Sequence, residues 1–207
     1  MSSRTAVLSA AYFPPVEYFM AAAATGRILI ETQDSYVKQT YRNRCRIYAC
    51  DGILSLTVPV SLPAGAKALS GAAVDYSKPW LQQHERALIS AYRTSAFFEY
   101  YQDDIFPLLE ARPARLLDLD ISLTLRLMEL LGVRCEVSLT AEYIPSYGSG
   151  YLDLRDAFHP KKAVPEVFRD RCRPYYQVFS EKFGFISGLS ALDLLFNEGP
   201  DAVSYLL

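Results

Sequence analysis

No charge of one sign dominates this 207-residue sequence, in which 21 Lys and Arg face 23 Asp and Glu for a formal charge of -2. Without a global basic field it offers no footing for nucleic acid held by counterion release. Histidine is scarce, at two residues, and tryptophan is single. The four cysteines, Cys45, Cys50, Cys135 and Cys172, form no C-x-x-C pair and lie far in sequence from the histidines, so no zinc site is expected. No secretory signal is evident, and the cysteines read as reduced thiols in a cytoplasmic chain. The apolar stretch over residues 5–11 is short and ends in Tyr12-Phe13-Pro14-Pro15, which suits a buried strand better than a signal peptide. No run approaches the ~20 apolar residues of a membrane span. No P-loop, G-x-G-x-x-G or G-x-S-x-G stands anywhere, so no cofactor is expected. Internal repeats and low-complexity segments are also missing.

What remains is ordinary globular composition, 51% hydrophobic and 21% charged, which argues against disorder. The length fits one domain, residues 1–207, able to bury a core without staples. Fifteen tyrosines and 11 phenylalanines supply apolar bodies, and the tyrosine hydroxyls favour core edges and clefts. Residues 5–11 predict a strand, 16–24 a helix closed by Gly26, and 27–31 a second strand. Strand, helix, strand is a βαβ unit with parallel strands. Ligands of such units collect beyond the carboxyl ends of the strands, where residues 12–18 and the segment after Glu31 would lie.

Residues 42–60 predict a hairpin turning at Asp51-Gly52. Pairing outward sets Cys50 against Ile53, Ala49 against Leu54, Ile47 against Leu56 and Cys45 against Val58. One face is then Cys45, Ile47, Ala49, Leu54, Leu56 and Val58; the other is Arg44, Arg46, Tyr48, Ser55 and Thr57. Residues 61–77 read as a loop with one short strand. Helices follow over 79–94, over 97–110 with an interruption near Pro107, and over 116–131 with Gly132 as cap. Residues 134–140 alternate like a strand. Residues 143–165 lack periodicity and read as a long loop of the kind that is often functional. Residues 175–179 predict a last strand, and Ser190-Ala191-Leu192-Asp193 a capping box opening a helix. The fold class is thus α/β: a mixed β-sheet with an N-terminal βαβ unit and a β-hairpin, flanked by helices.

Three constellations carry chemistry. Lys38, Arg42, Arg44 and Arg46 fall within nine residues. In strand geometry the three arginines share the polar hairpin face, either as an anion subsite for a phosphorylated or nucleotide-linked small molecule or as a solvated surface. His84 lies at one edge of an apolar helical stripe and Glu85 within it. His84 is either a general base or a core-edge histidine bonded for structure. Asp118 and Asp120 precede an apolar helix and read as caps rather than an acid–base pair. Cys45, on the apolar face, is a poor nucleophile.

Several segments resemble the WbqC-like family. They are Tyr12-Phe13-Pro14-Pro15-Val16-Glu17-Tyr18-Phe19, Lys38-Gln39-Thr40-Tyr41-Arg42-Asn43-Arg44 and Leu56-Thr57-Val58-Pro59-Val60. Trp80 followed by His84, Ala91-Tyr92, and the run from Leu192 through Asn197 to Pro200 complete the set. They occur in family order across nearly the whole chain. One departure is Gly188, where the family often has asparagine. The resemblance implies a bacterial protein associated with surface-polysaccharide and O-antigen gene clusters. It implies a transferase moving an amino acid or acyl group to a sugar, the alternative being a non-catalytic glycan-, nucleotide- or protein-binding module. Carried over by the resemblance, Tyr12, Pro14, Arg42, Asn43, Arg44, His84, Tyr92 and Asn197 form the site. His84 would be its base, and Arg42 and Arg44 its anion contacts, with Asn43 or Asn197 orienting the ligand.

Overall fold

In a computed structural model, residues 4–65 and 67–207 are described. The N-terminal reading at residues 1–3 lies outside them. Strand β1 (Thr5–Ser9) leads through a tight turn into helix α1 (Val16–Thr25), which stops at Gly26 in the left-handed region, φ 66°. That backbone is strain-free only for glycine. Strand β2 (Arg27–Glu31) returns parallel to β1, with Ala6 opposite Ile28 and Leu8 opposite Ile30. This is the expected βαβ unit. The inward residues Ala6, Leu8, Ile28 and Ile30 are fully buried.

The hairpin pairs β3 (Arg44–Ala49) with β4 (Gly52–Thr57). Its register differs from the expected one by two residues: Ala49 faces Gly52, Ile47 faces Leu54 and Cys45 faces Leu56. The reason lies in the turn. Neither Cys50 nor Asp51 has positive φ, whereas Gly52 sits at 102°, so glycine takes the bulge position after the turn rather than a place inside a type I′ turn. A two-residue shift preserves which side chains share a face. Cys45, Ile47 and Leu56 are buried as expected, but Leu54, near the hairpin tip, is 40% exposed. Tyr48, assigned to the polar face, is fully buried. Its hydroxyl donates to the carbonyls of Phe179 and Gly184, so the C-terminal segment covers that face.

Short strands β5 (Val60–Ser61) and β6 (Ala73–Val74) pair with each other. Helices α2 (Trp80–Tyr92), α3 (Phe98–Glu110) and α4 (Leu116–Leu130) follow. Pro107 does not interrupt α3: only one backbone bond is lost near the C-terminal end, and buried Ile105 and Leu109 hold both sides of it in the core. Strand β7 (Glu136–Leu139) pairs with β2, and β8 (Tyr151–Asp153) pairs with β1. The parallel sheet therefore runs β7-β2-β1-β8, and the hairpin stands as its own two-stranded sheet beside it.

Two one-turn helices, α5 (Glu166–Arg169) and α6 (Ser180–Phe183), precede α7 (Ala191–Glu198). Residues 175–179 form no strand. Instead the buried Gln177 side chain bonds both the N–H and the carbonyl of Ile186, replacing a ladder with one amide. Ser190 caps α7 by accepting from the Leu192 N–H, but the reciprocal bond of a capping box is not formed, because the Ser190 N–H donates to the Arg46 carbonyl and the Asp193 carboxylate is taken up by Tyr175 and Gln177. Among the described residues no helix is long and apolar enough to cross a membrane.

Candidate functional site

A cavity of about 230 Å³ opens beyond the carboxyl ends of β1 and β8. These strands are neighbours whose following chains diverge, one into α1 and the other into the 154–165 segment. Such crevices are where open parallel sheets bind ligands. Its floor is Ser9, Ala10 and Ala11, its apolar wall Tyr18 and Phe158, and its cations Arg42, Arg155 and Lys162.

The turn after β1 is over-determined. Tyr12 N–H donates to Tyr41, Val16 N–H to Leu189, and the Pro14 carbonyl accepts from Ala191 N–H. These bonds hold Phe13 at φ 44°, a conformation costly for a non-glycine residue. The first turn of α1 is anchored by its own acid: Glu17 is fully buried and accepts from the Gly188 N–H at 2.9 Å. Burial pushes the Glu17 carboxyl up, partly countered by that bond and by Arg46. Gly188 itself lies at φ 72°. Glycine and asparagine both tolerate this region, which rationalises either residue here.

Arg42 is 5% exposed. It precedes β3 and lies beneath the cavity rather than on a solvated hairpin face. Its Nη2 donates to Ser9 Oγ at 3.1 Å and pairs with Asp34. Its Nε is buried without a partner among the described residues. Arg44 is half-buried, also with an unpartnered Nε, and lines neither large cavity. Arg46 turns toward Tyr41 and Glu17. The three arginines thus do not form one patch.

The other expected site residues are buried in the core. Tyr12 hydroxyl contacts His84 Nδ1 at 2.9 Å, and His84 packs edge-on against Trp80. Burial pushes His84 down to about 4, partly opposed by a hydrogen bond to the Thr57 backbone. With one ring nitrogen on Tyr12 and a further bond to Thr57, the imidazole is engaged within the core and lines neither cavity at the carboxyl edge of the sheet. Asn43 donates to the Val58 carbonyl and closes the hairpin base. Tyr92 hydroxyl accepts from the Tyr48 N–H. Asn197 donates to the Asp193 carbonyl within α7. Pro14 acts through the turn bonds above. Neither Asp118 nor Asp120 caps α4, whose N-cap is Arg115. Asp118 pairs with Arg115, while Asp120 is fully buried with both oxygens unpartnered and its carboxyl pushed well up by desolvation. Burial likewise pushes the Cys45 thiol up.

The residues that sequence reasoning missed are Arg155, His159 and Lys162. Their only signal was membership of the long loop over 143–165. Arg155 is the hub of this region. It pairs with Asp153 and Glu31, donates to the carbonyls of Ile144 and Pro145, and sits over the rings of Tyr143 and Tyr147. His159 Nδ1 accepts from the Lys161 N–H at 3.0 Å. Partial burial and the nearby Lys162, Lys161 and Arg42 push its ring below the usual histidine value. With Nδ1 accepting the Lys161 bond, the proton of the neutral ring lies on Nε2, as a donor. Lys162 forms no ion pair with the described residues.

A second cavity of about 680 Å³ adjoins the first and shares Val37, Arg42, Arg155 and Asp156 with it. Among the described residues no group of three His, Cys, Asp or Glu side chains is placed to hold a metal ion.

The profile of the WbqC-like protein family matches residues 10–154, a span that begins just after β1 and includes α1, β2, the hairpin and the strand β8 at the cavity edge. The uncharacterized protein Rv1507c of Mycobacterium tuberculosis is 28% identical over 228 aligned residues, covering 98% of this chain and 97% of that protein. No solved structure matches. With more than half of its length under the family profile, the chain belongs to the WbqC-like protein family.

Proposed function

We propose that this domain binds a phosphate-bearing small molecule in the cavity beyond β1 and β8. The observation that carries the reading is the set of donors converging there. Arg42 lines the cavity with its side chain nearly buried, Lys162 has no ion-pair partner among the described residues, and His159 presents an Nε2 proton. Charge-assisted hydrogen bonds of this kind are the strong ones. Neither histidine is set up as a general base: His84 is packed in the core, and His159 spends Nδ1 on a backbone N–H. The arrangement therefore favours binding over histidine-based catalysis. A transferase moving an amino acid or acyl group to a sugar in surface-polysaccharide synthesis is a second reading. Asp156 favours it, because its carboxylate lines both cavities and forms no ion pair with the described residues. It would take the proton of the attacking sugar hydroxyl as the acyl carbon leaves its carrier.

The test is calorimetry and thermal shift with inorganic phosphate, pyrophosphate and nucleoside monophosphates. Binding should raise the melting temperature by mass action. Lys162→Ala, an exposed position, should weaken binding about tenfold, roughly 1.4 kcal/mol. Lys182→Ala, whose ammonium reaches the Cys50 carbonyl elsewhere, should not. If no phosphate compound shifts the transition, the reading is wrong.

A further inference from the structure

We infer that the second cavity is a subsite for a hydroxyl-rich sugar, so that the ligand is a glycosyl phosphate, free or nucleotide-linked, bridging both cavities. This rests on the anion reading of the first cavity and adds the chemistry of the other half. The two cavities differ in charge. The first contains three cations and one carboxylate, Asp156. The second is lined by Asp34, Asp153 and Asp156 beside the shared Arg42 and Arg155. Three carboxylates against those two cations leave one net negative charge, which disfavours seating the phosphate in this half of the site. The carboxylates are too dispersed to chelate a metal ion among the described residues. Two of them are already matched to cations, Asp34 to Arg42 and Asp153 to Arg155, which removes most of the attraction for an amine. What remains is a ring of acceptors with spare lone pairs. Vicinal hydroxyls, each donating one proton and accepting another, fit such a ring.

Three further observations agree. Arg42, with 6% of its side chain exposed and Nε unpartnered, lies in the wall common to both cavities. It therefore stands where the link between sugar and phosphate would pass. Tyr143 and Pro145 supply an apolar flank to the second cavity, suited to the C–H face of a pyranose. Arg155 fixes that flank by stacking on Tyr143 and bonding the Ile144 and Pro145 carbonyls. The volume, about 680 Å³, falls within the usual range of small-molecule sites, about 300–1,000 Å³.

The test compares inorganic phosphate with the 1-phosphates of glucose, galactose and N-acetylglucosamine by calorimetry on the full chain, with the free sugars alongside. At least one glycosyl phosphate should bind about tenfold or more tighter than phosphate. In Asp156→Asn, an exposed and conservative change, that ratio should collapse toward one. The inference is overturned if no glycosyl phosphate binds better than phosphate, or if Asp156→Asn keeps the ratio. Phosphate binding without a sugar advantage leaves the anion reading standing alone. Sugar binding without any phosphate contribution would reject the anion reading and keep the subsite. Silence from every probe rejects both.

Discussion

Replacing Asp193 by asparagine should change how stability responds to pH, by an amount the structure fixes. Asp193 is fully buried in the first turn of α7. Its Oδ2 accepts from the Tyr175 hydroxyl and Gln177 Nε2, each at 2.8 Å, and Tyr92 adds a third donor. Its Oδ1 has no partner among the described residues. Burial outweighs the donors and raises the carboxyl from 3.8 to about 6. Between those values the unfolded chain has lost the proton and the folded chain keeps it. The unfolded state then binds fewer protons, so stability falls as pH rises. The contribution is whole below about pH 4 and is lost as pH passes 6. Two pH units at 1.36 kcal/mol each give a loss of about 3 kcal/mol. Asparagine keeps the accepting oxygen, puts its amide where Oδ1 was, and cannot titrate. Urea unfolding of both proteins at pH 4, 5, 6 and 7 isolates the effect from every other group. The stability of Asp193→Asn relative to wild type should climb by about 2.4 kcal/mol across that range, the rest of the effect lying below pH 4. Parallel pH curves would show that the carboxyl is not titrating in the folded state as argued.

Two other outcomes follow from buried contacts. Tyr12→Phe removes the hydroxyl bonded to His84 Nδ1 and leaves that buried nitrogen without its partner, which should cost about 1–3 kcal/mol. His84→Ala should cost about 2–3 kcal/mol, with phosphate affinity in calorimetry changing less than threefold; a larger change would return His84 to the site. At Gly188, an added Cβ meets Val164 at 3.2 Å and the backbone stands at φ 72°. Gly188→Ala should therefore lower stability by about 1–2 kcal/mol. Gly188→Asn should lower it less, since the two share the Val164 contact and differ in left-handed preference; equal losses in thermal melts would assign the cost to Val164 alone.

Much of the fold is local information. The βαβ unit is legible because β1, α1 and β2 are consecutive, alternate or repeat their apolar residues regularly, and are punctuated by Pro15 and Gly26. The α7 start is legible because a capping serine acts within one turn. The hairpin's existence is local too. Its register is less so, because Asp51-Gly52 is compatible with a turn centred on the pair and with one in which glycine takes the bulge. β8 is not local at all. Tyr151-Leu152-Asp153 has no period to recognise, and it is a strand only because the free edge of β1 accepts its backbone bonds.

The candidate site divides the same way. The residues shared with the family pointed to the turn after β1 and to Arg42, both of which border the cavity, but the sequence could not tell an anion contact from a core contact. Tyr12, Asn43, Tyr92 and Asn197 proved to be buried side chains bonded to backbone groups or to one another's neighbours. Polarity at a position is the same in sequence whether its partner is a ligand or a carbonyl across the core. Arg42 and Lys162 are 120 positions apart in the chain, and Ser9 meets the Arg155 carbonyl across 146. The βαβ frame, the hairpin, the helices and the family are legible in the residues alone, because hydrophobic period, caps and turn residues act within a few positions. Which polar groups share a cavity is not, because that depends on β8 docking beside β1 and bringing Arg155, His159 and Lys162 to the carboxyl edge of the sheet.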